Sequence, residues 1–276
     1  MSQNLLAKDG DDHRRLRRLV SKAFTPRMIE QLRPRIQELA DDLVDRVAHR
    51  GHMELVDEFA FPLPITVIAE LLGIPGEDQR PFREWSNTFV TPALTPEQRE
   101  IGARHTGEFV AYLDDLFARR RLEPTSDLVS ALVRAEDEGD HLSQHELYSM
   151  VVLLIVASHE TTVSLITNGV LALLTHPEEL TRLRADPSLM PSAVEELLRY
   201  ESPVERTITR WATADVELGG ATIGRGDFVI AVNGSANRDP ARFPNPDVLD
   251  LARGDNRHVG FGRGPHFCLG APPRPP

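Results

Sequence analysis

Apolar residues recur at the spacing of one helix face throughout residues 11–200. In residues 11–23, for example, Leu16, Leu19 and Val20 are separated by basic side chains. Such a pattern predicts an amphipathic helix whose apolar stripe faces a core. We therefore predict a mainly helical structure for this part of the chain.

Helix boundaries are marked by capping residues and prolines. Thr25 and Pro26 provide an N-cap and a first-turn proline for a helix that Gly51 can end. Thr95 and Gln98 form a capping box at the start of another helix. We predict helices over about 26–50, 96–121, 127–137, 178–185 and 191–200.

The longest predicted helix covers residues 143–175. A capping box from Ser143 to Glu146 opens it, and His176-Pro177 ends it. At ~1.5 Å per residue this helix is roughly 50 Å long, enough to cross a large domain. Because its middle is apolar on nearly every side, we expect a central, buried helix.

After Ser202-Pro203 the pattern changes to short β-branched or alternating segments, which predict a small sheet of hairpins. Glycine-containing turns separate three such segments: 207–211, 216–218 and 228–232. Residues 237–270 are rich in Gly, Pro, Asn and Asp, and we expect a mostly ordered loop there. The predicted fold class is therefore mainly α with a small β region (α+β).

Composition limits the class of protein. The 276 residues carry a net charge of −11, which argues against a nucleic-acid binder. A single cysteine excludes an internal disulfide and a Cys-only zinc or iron–sulfur site within one chain. The first ten residues lack the basic and apolar pattern of a signal peptide, and the longest unbroken apolar run, 150–157, is far shorter than the ~20 residues that cross a bilayer. We expect a cytoplasmic protein.

The single cysteine, Cys268, lies in a glycine-punctuated loop that extends from Phe261 to Gly270. Glycines allow backbone N–H groups to approach a sulfur atom and stabilise its thiolate, the form that binds metal or acts as a nucleophile. The alternative is a buried structural cysteine. The glycines favour the first interpretation.

Polar residues 158–162 interrupt the most apolar helix, where they are costly unless they have partners. The hydroxyl of Thr161 can bond back to the carbonyl of Ala157 and open or bend the helix. Beside Glu160, such an opened helix could carry protons into a buried pocket. The alternative is a set of polar side chains that neighbouring residues satisfy.

A third candidate is Glu196 with Arg199, which share a helix face. In isolation, most such pairs are solvated surface pairs worth well under ~1 kcal/mol. In order and combination, however, the three motifs resemble the signatures of the cytochrome P450 family in its soluble bacterial form. These are the acid–threonine pair Glu160-Thr161, the Glu-x-x-Arg motif, and the Phe-Gly-x-Gly-x-His-x-Cys loop that ends at Cys268.

Weaker matches fill the intervals between these motifs. Residues 11–17 and 21–25 resemble a helix near the haem in that family, and 236–240 with Phe243 resemble the stretch before the cysteine loop. The resemblance covers about residues 11–271. It implies one partial P450 domain over residues 1–276, divided as a helical part (11–200), a small β-sheet (201–236) and a haem-binding loop region (237–271).

The resemblance implies haem b as the cofactor, with the Cys268 thiolate as the axial ligand of the iron. The cations aligned with those that hold the haem propionates are His13, Arg17, Arg210 and His266. Charge-assisted hydrogen bonds to propionate oxygens suit such side chains. Neighbouring arginines that could take the same role are Arg14, Arg15 and Arg18.

Two further sets of residues take roles from the resemblance. Glu160 and Thr161 align with the proton-delivery pair of the oxygen site. Glu196, Arg199 and Arg253 resemble a buried ion network that supports the haem loop, which is a structural role.

The sequence also departs from the family pattern. Ser158 stands where the family usually has glycine beside the oxygen-binding groove, and its side chain is expected to crowd or rewire that groove. Both ends are short compared with the family, and the chain after Cys268 runs into prolines instead of a helix under the haem. We expect weaker haem binding as a result.

The implied function is a haem-thiolate monooxygenase that inserts one oxygen atom of O2 into a hydrophobic small molecule. Its electrons would come from a ferredoxin and its reductase, with Arg14, Arg18 and Arg263 as candidate contacts for that acidic donor. A peroxide-using haem-thiolate enzyme is an alternative within the same chemistry. An alternative of another class is a truncated, non-catalytic remnant with weak or no haem binding.

Overall fold

The computed structural model describes residues 3–137 and 139–271. Their contacts divide the chain into two compact units. The first unit extends to Val163 and includes the chain again from Leu269, and the second unit is Ser164–Cys268. Each unit has its own hydrophobic core.

Helices dominate the first unit. They are α1 (Gly10–Ala23), α2 (Pro26–Ala48), α3 (Pro62–Leu72), α4 (Gln79–Val90), α5 (Pro96–Leu122) and α6 (Leu128–Val133). A π-helical turn (Val56–Ala60) precedes α3, and a 3-10 turn (Gly76–Asp78) precedes α4. Strand β1 (Glu136–Asp137) pairs antiparallel with β2 (Asp140–His141), and α7 (Gln144–Thr175) follows.

The predicted helix caps are confirmed. The hydroxyl of Thr25 accepts a hydrogen bond from the Met28 N–H at 3.3 Å. The Gln98 N–H donates to the Thr95 hydroxyl at 3.1 Å, while the Gln98 side chain accepts from the Thr95 N–H at 2.9 Å. These bonds satisfy N–H groups that have no partner inside a helix, so they fix where α2 and α5 begin.

The core of the first unit contains the predicted stripe of α1. Leu16, Leu19 and Val20 are at most 1% exposed. Phe82 of α4 packs against Phe109 of α5, with ring centroids 6.2 Å apart. Because burying a large apolar side chain contributes about 1.5–3 kcal/mol, such contacts hold the helices of this unit together.

The prediction of a helix over 127–137 is wrong in its second half. Helix α6 ends at Val133, and Glu136 begins the β1–β2 hairpin. Gly139 has a φ of +84°, which a tight turn requires and which glycine adopts without strain. The charged sequence after Val133 offers no apolar helix face, so the turn prevails.

Helix α7 begins as predicted, with Ser143 and Glu146 forming both bonds of a capping box at 2.8 and 3.3 Å. Val151 and Ile155 are fully buried, but Glu160 is exposed. The prediction of a central, buried helix is therefore correct only for the N-terminal half. The core of the first unit covers one side of the middle of α7 and leaves the other open.

Among the described residues, α7 is the one helix long and apolar enough to cross a membrane, with a mean hydropathy of 1.7 over its best window. The longest unbroken apolar run, residues 150–157, is too short to cross a bilayer, but an unbroken run is a stricter criterion than average hydropathy. A core helix passes the same length and composition test. The burial of the first half of α7 in the core favours that interpretation.

The second unit continues α7 and combines short helices with two small sheets. Its helices are α8 (Pro177–Ala185), α9 (Met190–Tyr200) and α10 (Asn233–Ala236). Strand β3 (Arg210–Trp211) pairs antiparallel with β6 (Phe228–Val229), and β4 (Val216–Leu218) pairs antiparallel with β5 (Ala221–Ile223). In the register of these sheets, Trp211 lies opposite Phe228 and Val216 lies opposite Ile223.

The expected single sheet is thus two separate two-stranded sheets, and β5 was not predicted. Gly219 and Gly220, with φ of +58° and +82°, form the turn that returns the chain from β4 into β5. Residues 237–271 form the predicted loop, which a 3-10 turn at Gly264–His266 interrupts.

Candidate functional site

Cys268 lies in the second unit at the end of a tight loop, and its side chain is exposed. The Cys268 N–H donates to the Phe261 carbonyl at 2.9 Å, which closes the loop. Gly262 and Gly264 have φ of +73° and +71°, in the left-handed region that favours glycine. The alternative of a buried structural cysteine is therefore wrong, because the loop presents the thiol at a surface.

The chain entering this loop is held close to α9. A Cβ atom on Gly260 would lie 3.0 Å from Nδ1 of His258 and 3.2 Å from the Leu198 carbonyl oxygen, so a larger residue here would require these neighbours to shift by a few tenths of an ångström. His258 is buried, and its Nε2 lies 3.0 Å from a carboxylate oxygen of Glu195. These contacts fix the start of the cysteine loop on the helix.

The ion pair of Glu196 and Arg199 is buried, with no exposed side-chain surface on either residue. The Arg199 guanidinium donates to both carboxylate oxygens at 2.8 Å. Arg253 donates to Glu196 at 3.0 Å, and Asn256 donates at 3.1 Å. The solvated-pair alternative is wrong here, and the geometry agrees with the expected network.

The same network organises the loop ahead of the cysteine. Arg199 donates to the Asn237 carbonyl at 3.0 Å and to the Pro246 carbonyl at 2.8 Å. The Asn237 side chain is fully buried and accepts from the Val259 N–H at 2.8 Å. Buried main-chain groups need such partners because this stretch has no regular secondary structure. Asn237 therefore holds the loop in place, and the sequence indicated this residue only through the resemblance of residues 236–240 to the stretch before the cysteine loop.

On α1, the predicted cations His13 and Arg17 lie one turn apart on the same face. His13 is 3% exposed and interacts with other groups of the chain. Arg17 is half-buried and forms no ion pair with any residue of 3–137 or 139–271. A half-buried guanidinium of this kind is suited to an anionic ligand group.

Glu160 and Thr161 lie in the middle of α7, in the first unit. The Thr161 hydroxyl donates to the Ala157 carbonyl at 2.6 Å, as predicted. The helix nevertheless stays α-helical throughout Gln144–Thr175, so the expected opening is absent from it. Because the hydroxyl hydrogen is directed at the Ala157 carbonyl, the lone pairs of the Thr161 oxygen face its other neighbours. Ser158 is half-buried beside this pair.

His159 is a residue whose place the sequence reasoning missed. It is 2% exposed, and its ring packs edge-on against Phe61, with centroids 4.4 Å apart. Burial lowers the pKa of His159, and the Phe61 main chain opposes this effect more weakly. Its spacing of four residues from Ile155 is the signal that could have shown an inward position.

The structure places the predicted residues in both units. The first unit contains His13, Arg17, Glu160 and Thr161, and the second contains Arg210, His266 and Cys268. Arg210 and His266 already interact with other groups of the chain. In the second unit, the exposed thiol on a left-handed glycine loop is a soft ligand of the kind that haem iron takes. In the first unit, the Arg17 guanidinium, which forms no ion pair within the described residues, is suited to a carboxylate such as a propionate.

Comparison with known proteins agrees with this chemistry. The family model for cytochrome P450 matches residues 97–272. A cytochrome P450 of Bacillus subtilis (strain 168) is 52% identical over 271 residues, covering 98% of this chain. The 6-deoxyerythronolide B hydroxylase of Saccharopolyspora erythraea is 45% identical and also covers 98% of the chain.

The fold comparison gives the same result. The cytochrome P450 PksS of the Bacillus subtilis 168 bacillaene polyketide synthase matches with a TM-score of 0.92 at 47% identity, covering 98% of this chain and 69% of that structure. The chain spans 66% of the length of each of the two relatives named above.

Proposed function

Because this chain belongs to the cytochrome P450 family, we propose that it is a haem-thiolate monooxygenase acting on a hydrophobic small molecule. Members of this family bind haem b through a cysteine thiolate. The proposed reaction inserts one atom of O2 into a C–H or C=C bond of the substrate and reduces the other atom to water. Two electrons and two protons balance it.

The observation that carries this proposal is the presentation of Cys268. Its side chain is exposed at the end of a loop in which Gly262 and Gly264 are left-handed. Bound there, haem would supply the oxygen chemistry, and the Cys268 thiolate would hold its iron and supply electron density to it. We assign Arg17, His13, Arg210 and His266 to the propionates, with Arg17 the one that has no ion-pair partner among the described residues.

We assign proton delivery to Glu160 and Thr161. The exposed carboxylate of Glu160 can exchange protons with solvent, and the Thr161 oxygen can accept a hydrogen bond at its lone pairs. In this structure the Thr161 hydroxyl donates its hydrogen bond to the Ala157 carbonyl. To pass a proton on, the hydroxyl would turn away from that carbonyl, give up its own proton and take up another that Glu160 supplies.

We propose a ferredoxin and its reductase as electron donors. Arg14, Arg18 and Arg263 are exposed, as contacts for an acidic partner require. Arg14 also pairs with Asp11, which reduces its free charge. We also propose a cytoplasmic location, which the similarity to soluble bacterial P450s supports. The alignment of 98% of this chain with a P450 structure supports treating the chain as one P450 domain.

The test is spectroscopic. The chain is purified with haem supplied, reduced and exposed to carbon monoxide, and the Soret band is recorded. A strongly red-shifted band is expected, because a thiolate ligand of the iron shifts the band of the carbon monoxide complex in a way that a histidine ligand does not. Cys268→Ala should abolish the band, and His266→Ala should weaken haem binding but keep the shifted band.

Other outcomes would contradict the proposal. A histidine-type band, or no bound haem, would favour the non-catalytic remnant. In the loaded enzyme, Thr161→Ala should consume O2 with less product while haem remains bound. An equal product yield from Thr161→Ala would favour a peroxide-using enzyme. The hydroxylase name of one relative supports monooxygenation over the remnant.

A further inference from the structure

A row of buried residues fixes the rotation of α7 in the first unit. Leu147, Val151, Ile155 and His159 follow one another at four-residue intervals, with exposures of 1%, 0%, 0% and 2%. Residues at this spacing lie on the same side of a helix. The next member of the row, Val163, is only half-buried. His159 is therefore the last fully buried member of the row before the first unit ends.

The partner of His159 is itself well fixed. Phe61 lies between the π-helical turn and α3, and its N–H donates to the Val56 carbonyl at 2.8 Å. The His159 and Phe61 rings meet at 87°, the edge-to-face arrangement that aromatic rings favour. Single-turn π-helices occur often at functional sites. The contact joins the centre of α7 to this junction.

The His159 ring is held in place by packing and not by hydrogen bonds from its nitrogen atoms. Neither ring nitrogen makes a hydrogen bond of normal geometry with any residue in the described part of the chain. The packing of the buried ring, with Phe61 edge-on to it, therefore sets its position. An aromatic side chain that cannot hydrogen-bond should occupy the same place, whereas a small side chain should not.

The inward position of His159 determines where its neighbours point. Successive residues of an α-helix are about 100° apart, so Glu160 and Thr161 are turned about 100° and 200° away from the core. Glu160 is exposed, and Thr161 bonds to Ala157 on the outer side. A rotation of α7 that filled a cavity at His159 would move both residues.

We propose that His159 is a positioning residue, which sets the direction of Glu160 and Thr161 through its edge-to-face contact with Phe61. The effect of His159 on the direction of these two side chains follows from the contacts above, whereas the effect on catalysis rests on the proposed function. His159 touches no reacting atom in this account. It acts through the helix on the two residues that follow it.

The geometric part is tested on the chain without haem. The methyl signal of Thr161 is measured by 13C NMR in wild type, His159→Ala, His159→Phe and Ile155→Ala. Ile155 is a matched control, because it is fully buried in the same row one turn earlier. We expect His159→Ala to move the Thr161 signal and His159→Phe to restore it, while Ile155→Ala lowers stability without moving it.

Two results would overturn the proposal. One is an unchanged Thr161 signal in His159→Ala, and the other is an equal change in Ile155→Ala. Should His159→Ala not fold, Phe61→Ala removes the other half of the contact and should move the same signal. An unmoved signal in that variant would contradict the proposal equally.

The catalytic part is tested in the haem-loaded enzyme. His159→Ala should lower the product formed per O2 consumed by about threefold to tenfold at unchanged haem content. Combined with Thr161→Ala it should add no further loss, because both changes act through Thr161. Additive losses would overturn this role. An inactive wild type would contradict the proposed function alone and leave the NMR result standing.

Discussion

The guanidinium of Arg199 donates to both carboxylate oxygens of Glu196 at 2.8 Å, although neither side chain has exposed surface. Glu30 and Arg33 form a pair at the same three-residue spacing and the same 2.8 Å distance, but they are 69% and 77% exposed. The two pairs share their spacing in the helix but differ in burial and in the partners that burial brings, since Arg253 and Asn256 also donate to Glu196. Together they allow a buried, networked ion pair to be compared with an exposed one.

Removal of Arg199 should be far more destabilising than removal of Arg33. Arg199→Ala leaves a buried carboxylate with Arg253 as its remaining charged partner, and we expect a loss of about 3–5 kcal/mol in the free energy of unfolding. Arg33→Ala removes an exposed pair that solvent screens, and it should leave the free energy of unfolding nearly unchanged. Urea denaturation measures both. Equal losses would show that the buried pair contributes no more to stability than a surface pair does. If the alanine variant does not accumulate, Arg199→Lys replaces it in the measurement.

The left-handed glycines of the cysteine loop give a second prediction. Gly262→Ala and Gly264→Ala should each cost about 1–2 kcal/mol, because a Cβ atom is strained at φ of +73° and +71°. Gly254→Ala is the matched control in the same long loop, with no positive φ and nothing within 4 Å of a built Cβ. Its change should stay within about 0.5 kcal/mol.

These glycine variants should also weaken haem binding, since the strain falls on the segment that positions Cys268. Haem titration followed by absorbance measures the affinity. If Gly254→Ala weakens haem binding as much as Gly262→Ala does, the left-handed geometry is not what presents the thiol.

Stability should depend on pH through His159. Burial lowers the pKa of His159 in the folded protein, and this effect exceeds the opposite effect of the Phe61 main chain. The unfolded chain therefore binds the proton more readily than the folded protein does. The free energy of unfolding should therefore fall as pH decreases below about 6.5, by at most about 1.4 kcal/mol per pH unit. His159→Phe should lose this component.

The measurement is a series of denaturation curves for wild type and His159→Phe between pH 7.5 and pH 5. Other titrating groups affect both proteins alike, so the difference between the curves isolates His159. A difference that stays constant across this range would contradict the prediction.

A further prediction concerns Ser158, which stands where the family usually has glycine. Ser158→Gly should destabilise α7 by about 0.5 kcal/mol, since glycine has the lower helix propensity. In the haem-loaded enzyme it should raise the product formed per O2 consumed, because the crowding side chain is gone. Ser164→Gly, on the same helix, carries the same propensity cost and should leave that ratio unchanged. An equal rise in both variants would remove Ser158 from the oxygen site.

Several features of this protein are local, and the sequence predicted them. The cap at Thr95 and the start of α7 depend on residues within one turn, so spacing alone locates them. The conformation of the loop before Cys268 is also a local property, because glycine adopts positive φ angles at a lower cost than other residues do. Family resemblance then assigned the chemistry of the thiol.

Burial was decided by the tertiary structure. Glu196-Arg199 and Glu30-Arg33 have the same spacing, and only the packing of distant loop segments makes the first pair a buried centre. In the same way, an apolar helix pattern did not show that the middle of α7 is covered on one side, or that His159 meets Phe61, nearly a hundred positions away in the chain. Spacing along a helix defines which residues share a face, but which face is removed from water depends on segments far apart in sequence.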